Sequence, residues 1–429
     1  MAGALVLILL VILGAPLFAI IATSALIGFS SEGIDLSVIA IEIYRIADTP
    51  VLLAIPLFTF AGYVLGESKA SERLVRLTDA LLGWMPGGLA VVSLFACAFF
   101  TALTGASGAT IIALGAILYP AMKQAGYAER FNLGLITSSG SLGLLFPPSI
   151  ALILYGVIAQ QMSLEQSVTI DDLFIAGLLP GLVMLVLLVA WSMYKSVGDK
   201  IPTTAFNSKE LIDALRESIW EVPLPIIIIG GIYSGYFVVS EAAAVAVMYV
   251  LLVDVLILRE IKLKQLPNIM RDSMVLVGGV LIILGVSLAS TNYLIDTEVP
   301  SKLFDFIREH IDSKLTFLML LNIFLLVLGM MLDVFSALVI IVPLTLPIAV
   351  GYGIHPIHFG IIFLANMQIG YFTPPVGMNL FIASYRFKKP ITELYLATIP
   401  FMLILFLAVL IITYWPALTM TLLDLRHGQ

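Results

Sequence analysis

Residues 141–149 read SLGLLFPPS and residues 368–376 read QIGYFTPPV, and these two stretches hold the only Pro-Pro pairs in the chain. Gly143 and Gly370 precede the pairs by equal distances, and the earlier Gly126 with Gly353 and Pro120 with Pro347 keep the same register. All of these pairs are 227 residues apart with no gap, the mark of a duplicated unit. Proline has no N–H and clashes with the preceding turn. A Gly followed by Pro-Pro therefore breaks a helix and leaves carbonyl oxygens without donors, which in lipid costs several kcal/mol per group unless something fills the gap.

Lipid is the solvent that the composition demands. Of 429 residues, 61% are apolar and 11% charged, against roughly 45–50% and 25% in soluble domains. No charged segment is long enough to wrap such a core, which excludes a soluble enzyme. With 21 Lys and Arg against 28 Asp and Glu, the net charge of −7 argues against nucleic acid as a partner. The single cysteine, Cys97, excludes an internal disulfide and multi-cysteine zinc or iron-sulfur sites. The first 29 residues lack a basic n-region and outrun a signal h-region of about 7–15 residues, so they are expected to be a retained first transmembrane helix.

Spans need about 20 apolar residues, and the expected ones are 2–29, 50–66, 131–157, 173–194, 222–239, 241–258, 272–290, 358–386 and 391–416. Two further stretches, 86–122 and 315–351, are too long for one crossing. Polar or small residues interrupt each near its middle, TALTGASG at 101–108 and GMMLD at 329–333. Each predicts a re-entrant hairpin. With both hairpins dipping in and returning, 16 of the 21 basic residues fall on the cytoplasmic side, leaving 5 outside: Arg45, Lys302, Arg308, Lys314 and Arg426. Treating either hairpin as a crossing inverts every later loop and loses this positive-inside asymmetry. Amphipathic stretches at 67–82, 203–220, 259–270 and 300–311 are expected to lie in the interface plane.

The first hairpin then enters from the cytoplasm and the second from outside, so the repeats are inverted. Inverted repeats with discontinuous helices are an architecture of secondary transporters, which bind substrate and ion where the copies meet. The expected fold is an all-α polytopic membrane protein with two re-entrant hairpins and two broken helices. Residues 86–157 and 315–386 are expected to form a transport domain. Residues 1–85 and 158–314 supply scaffold helices and interfacial arms, and 387–429 a C-terminal transmembrane helix. The broken backbones suit a small hard cation at their carbonyls, whereas helix N-termini at the same break favour an anion.

At these residues the sequence resembles the large membrane subunit (DctM-like, M subunit) of tripartite ATP-independent periplasmic, or TRAP, transporters. The matching stretches include IPLFTFAGYVLG (55–66), GWMPGGLA (83–90), FFTALTGASGATIIALGAILYPAM (99–122), GLLFPPSIALILYG (143–156), LFIAGLLPGL (173–182), SEAAAV (240–245) and HPIHFGIIFLANMQIGYFTPPVGMNLFIAS (355–384). The resemblance implies sodium-driven uptake of a small organic acid by an elevator mechanism in a bacterial inner membrane. It also implies two partners, a small four-helix membrane subunit (Q subunit) and a periplasmic substrate-binding protein (P subunit). Carried over by position, a first sodium site uses Thr101, Thr104, Gly143, Phe146 and Pro148, and a second uses Gly329, Gly370, Thr373 and Val376. Gly105, Ser107, Asp333, Asn366 and Asn379 are the candidates for substrate contact. Asp333 is either a functional ionisable group or the N-cap of the hairpin turn. Many members of the family carry more serine at the first hairpin tip, where this chain has Ala106.

Two other functions compete. An ATP-driven importer would need a separate ATPase, since the chain has no GxxxxGK[ST] phosphate loop. An intramembrane enzyme would need a nucleophile with a base, or metal ligands, and neither HExxH nor GxSxG occurs.

Overall fold

A computed structural model describes residues 2–47, 49–162, 164, 166–199, 201 and 205–427, and no strand occurs among them. The expected first span is two helices, α1 (Ala2–Ile12) and α2 (Leu17–Ser31). Gly14 at φ +70° and Pro16 interrupt it, one by a left-handed turn and the other by its missing N–H. Helix α3 (Ser37–Ala47) follows, then a single turn of 3-10 helix leads into α4 (Ala54–Glu67) and the amphipathic α5 (Ala70–Leu82).

Helices α6 (Gly88–Thr104) and α7 (Ser107–Gln124) form the first helix pair, where a hairpin was expected. The first broken helix comprises α8 (Glu129–Ser139), a 3-10 turn over Leu142–Leu145, and α9 (Ile150–Gln161), bent by 42°. Beyond it lie α10 (Ile170–Gly198), α11 (Ser208–Glu217), α12 (Pro223–Tyr233) and α13 (Val239–Val250), which continues as π-helix through Ile257. Next come the long α14 (Leu266–Asp296) and the amphipathic α15 (Val299–His310). The second pair is α16 (Lys314–Met331) and α17 (Val334–Gly351), and the second broken helix is α18 (Pro356–Gly370) with α19 (Met378–Phe387). Helices α20 (Ile391–Tyr414) and α21 (Ala417–His427) close the described chain.

Seven of these helical runs are long and apolar enough to cross a membrane. The expected span at 222–239 is not among them: α12 has 11 residues, about 16 Å at 1.5 Å per residue, and Gly235 at φ +75° turns the chain after it. The stretch 259–270 is likewise not one interfacial helix. Arg259 adopts φ +54°, and α14 begins only at Leu266. The other amphipathic stretches appear as α5, α11 and α15, with residues 203 and 204 outside the described chain.

The duplication holds helix by helix. Helices α7 and α17 are both 18 residues long, and their first residues, Ser107 and Val334, keep the offset of the Pro-Pro pairs, as do the last residues of α6 and α16 and the first of α8 and α18. It extends outward to α4 with α14, α5 with α15 and α10 with α20. Contacts between the copies are reciprocal: α7 packs on α19, and its counterpart α17 packs on α9. An exchange of this kind is the signature of a twofold relation rather than a translation.

Two groups of helices result. Helices α4, α13 and α14 pack together, with α2 and α3 against α14, while the two helix pairs and broken helices pack among themselves. Helix α10, expected with the scaffold, joins the second group, against α6, α9, α18 and α20. Its small residues explain this. A Cβ at Gly177 would fall 2.3 Å from the Leu145 carbonyl oxygen, and one at Gly181 would meet the Phe146 ring at 2.9 Å.

Candidate functional site

Each break is seated on the first helix of its own pair through a glycine. A Cβ at Gly143 would lie 2.2 Å from the Ala102 nitrogen and 2.5 Å from the Ala98 oxygen; one at Gly370 would lie 2.5 Å from Gly329 Cα. Ala102 and Gly329 occupy the same place in the two repeats, so the contact is duplicated too. Within each break the glycine carbonyl accepts one N–H, Gly143 from Phe146 at 3.1 Å and Gly370 from Thr373 at 3.0 Å. That leaves each oxygen a second lone pair.

The first tip closes with Gly105 in the left-handed region, φ +67°, its N–H on the Thr101 carbonyl at 2.8 Å. Thr101 is buried, its hydroxyl 2.6 Å from that of Thr110 and 2.9 Å from the Gly140 carbonyl. Thr104 bonds back to the Phe100 carbonyl, and Thr373 to that of Ile369, each at 2.9 Å. Of the remaining residues assigned to ion sites, Pro148 is buried, Val376 is exposed, and Phe146 faces an apolar cleft together with Pro147, Leu178 and Leu182. Among the described residues no three His, Cys, Asp or Glu side chains converge as metal ligands. The donors at the breaks are carbonyls and hydroxyls, a set that suits a hard cation rather than a transition metal.

A cleft of about 640 Å³ lies between the two tips and α4. The first tip lines it from Thr104 through Ala109, the second contributes Asp333 and Phe335, the second break Tyr371 and Met378, and α4 contributes Gly62, Tyr63, Gly66 and Glu67. Gly105, Ser107 and Asp333 are thus at the cleft. The Ser107 hydroxyl donates to Asn379 Oδ1 at 2.9 Å, and Asn379 is fully buried. Asp333 does cap α17, its Oδ1 accepting the Phe335 and Ser336 N–H groups at 3.0 Å each. It is therefore both cap and cleft wall. Tyr371 fixes the same tip by accepting the Val334 N–H at 2.8 Å.

Asn366 is not brought to this cleft. It is buried elsewhere, donating to Asn322 Oδ1 at 2.7 Å, which Thr413 also reaches at 3.2 Å. Sequence reasoning missed Tyr63 and Glu67, because nothing in α4 taken alone says which helix faces it. It also missed the joint that holds the interfacial arm. Arg73 of α5 donates to Glu221 at 2.7 Å and to Glu260, with Asp254 of the π-helical segment 3.9 Å away.

A duplicated helix pair and broken helix, interlocked around a cleft between two groups of apolar helices, define a membrane transporter. The family described as "Tripartite ATP-independent periplasmic transporter, DctM component" matches residues 4–418, and the chain belongs to it. The C4-dicarboxylate TRAP transporter large permease protein DctM of Pseudomonas aeruginosa is 34% identical over 385 residues, 90% of this chain and 88% of that protein. The ectoine/5-hydroxyectoine TRAP transporter large permease protein UehC of Ruegeria pomeroyi is 32% identical over 429 residues, 99% of each. Among solved structures, the YdaH transporter of Alcanivorax borkumensis matches with a TM-score of 0.60 at 15% identity, covering 88% of this chain and 90% of that one. At that identity the likeness is one of fold alone. Membership in an ATP-independent family removes the ATP-driven alternative.

Proposed function

We propose that this chain is the transporting subunit of a sodium-coupled importer in the bacterial inner membrane. It takes a small organic acid or related solute from a periplasmic binding protein, works beside a small four-helix membrane subunit, and carries its cargo by an elevator movement. The observation that carries this reading is the interlocking of the repeats. Tip, break and cleft wall come from both copies, tied by the Ser107–Asn379 bond. Shearing the halves apart would break that bond and separate tips from breaks, whereas moving both together against α4 and α14 keeps tips and breaks intact and exchanges only the wall that α4 and α14 supply.

By length alone α16 and α17 are each able to cross a membrane, and it is the positive-inside asymmetry that favours two hairpins turning back within it. Sodium sits at the duplicated breaks. Thr101, Thr104, Gly143, Phe146 and Pro148 surround the first site; Gly329, Gly370, Thr373 and Val376 surround the second. Gly105, Ser107 and Asp333 contact the solute, Asn379 holds Ser107 in place, and Asn366 supports the second break from behind. One sodium ion moving down about 100 mV contributes about 2.3 kcal/mol, and each tenfold gradient adds about 1.4 kcal/mol.

The test is uptake into proteoliposomes holding this chain with its small subunit and binding protein. An inward sodium gradient without ATP is expected to drive accumulation, and replacing sodium by potassium or choline at fixed pH to abolish it. Uptake indifferent to that replacement overturns the coupling.

A further inference from the structure

Ser287 of α14 donates its hydroxyl to the Val339 carbonyl of α17 at 2.8 Å, and both residues are buried. This bond crosses between the two groups of helices. Its cause lies four residues further on, because the N–H that would take the Val339 carbonyl within α17 belongs to position 343, and Pro343 has none. A carbonyl left open at membrane depth costs free energy until a donor reaches it. Ser287 is that donor, supplied from outside the helix.

The duplication shows the same contact in a second state. The counterparts of Ser287, Val339 and Pro343, 227 residues earlier, are Phe60 of α4 with Ile112 and Ala116 of α7. Helix α14 packs on α17, and the space beside Ser287 and Val339 holds about 20 Å³. Helices α4 and α7, by contrast, are parted by the cleft of about 640 Å³, and Ile112 is exposed on its wall. One copy is closed where the other is open. Nor can the open copy make the same bond when it closes. Phe60 has no hydroxyl, and Ala116 keeps an N–H for the Ile112 carbonyl within α7. That carbonyl also accepts Arg386 Nε at 3.1 Å from α19, which packs on α7.

We infer that Ser287 is a positioning residue of the transport cycle. Its bond to Val339 latches the moving body in the position described above, and the opposite position has no bond to replace it. This rests on the movement already proposed, in which the closed α14–α17 contact opens as the α4–α7 cleft closes.

The experiment compares thiol-labelling rates in proteoliposomes holding this chain with its small subunit, in a Cys97→Ser background. One reporter is Ile112→Cys on the open cleft, and the other is Asn292→Cys beside the closed contact. With Ser287→Ala, the first rate is expected to fall and the second to rise, so that their ratio drops about threefold to tenfold, as the loss of one hydrogen bond allows. Mere loosening of the fold would raise both rates. In a Pro343→Ala background, where position 343 regains its N–H, the same substitution is expected to change the ratio by less than about twofold. A ratio untouched by Ser287→Ala, while added sodium moves the two rates in opposite senses, overturns the latch and leaves the movement standing. A full response in the Pro343→Ala background does so too. Rates that neither sodium nor Ser287→Ala moves in opposite senses overturn the movement and the latch with it.

Discussion

The Ser141 hydroxyl donates to the Gln368 carbonyl at 2.9 Å, and these two residues, 227 positions apart, hold the same place in the two repeats. A residue that touches its own counterpart lies at the axis relating the copies. The axis therefore runs between the two breaks, beside Gly143 and Gly370, and the proposed ion sites flank it. The fully buried Gln368 side chain has neither amide atom hydrogen-bonded, which leaves a polar group with its capacity unspent at the junction of the halves.

Gly143→Ala and Gly370→Ala are each expected to destabilise the protein. The new methyl meets backbone at 2.2 Å in one and 2.5 Å in the other, and backbone cannot step aside as a side-chain tip can. Overpacking of this kind costs about 1–3 kcal/mol or more. Gly278→Ala, with nothing within 4 Å, is the control. Thermal unfolding in detergent is expected to drop for the first two and not the third.

Arg73 secures the arm α5 to the π-helical end of α13. Removing it in Arg73→Ala strands the buried Glu221 and Asp254 and the half-buried Glu260, and breaking such a network costs about 3–5 kcal/mol. Lysine cannot reproduce the forked donors that reach Glu221 and Glu260 together. Arg73→Lys is therefore expected to recover only part of the lost melting temperature.

The same joint sets a pH dependence. Burial pushes the Glu260 carboxyl up, but the Arg73 hydrogen bond and charge and the Lys69 N–H outweigh it and hold the group below its usual range. A lowered folded value stabilises the fold above the unfolded pKa and loses that contribution as pH falls through the folded one. Melting temperature is expected to fall on acidification below about pH 4.5, the ordinary carboxylate range, and less steeply in Glu260→Gln. Equal slopes would remove Glu260 from the account.

Ser107→Ala deletes the bond that crosses between the repeats at the cleft and leaves the buried Asn379 oxygen without its donor. The expected loss is about 1–3 kcal/mol, together with a fall in uptake larger than any fall in the amount of folded protein. Unchanged uptake would show that the tip does not depend on the second repeat.

Much of this architecture was legible because proline and glycine act locally. The Pro-Pro breaks, the tip at Gly105 and the duplication needed only spacing to be seen. Charge and amphipathic periodicity gave α5, α11 and α15. What stayed hidden was contact between distant segments. That the second helix of each pair crosses to the other repeat's broken helix, and that α10 belongs with the core, depend on which small residues meet which surfaces. Glu67 read as the start of the interfacial stretch 67–82, whereas it ends α4, and its place opposite the tips exists only in three dimensions. The brevity of α12 is not legible in sequence because the apolar run that begins at Pro223 has the hydropathy of a true span and is cut short only by the turn at Gly235.

The central claim is that both repeats move together against the α4 and α14 group. Spin labels in a Cys97→Ser background at Lys123 on α7, at Tyr385 on α19 and at Leu263 just before α14 report it, since all three side chains are exposed. Pairwise distances by pulsed dipolar spectroscopy are to be compared with and without sodium and a transported solute. The Lys123–Tyr385 distance is expected to stay fixed while both distances to Leu263 change in the same experiment. A change between Lys123 and Tyr385 with either distance to Leu263 constant would contradict a single moving body.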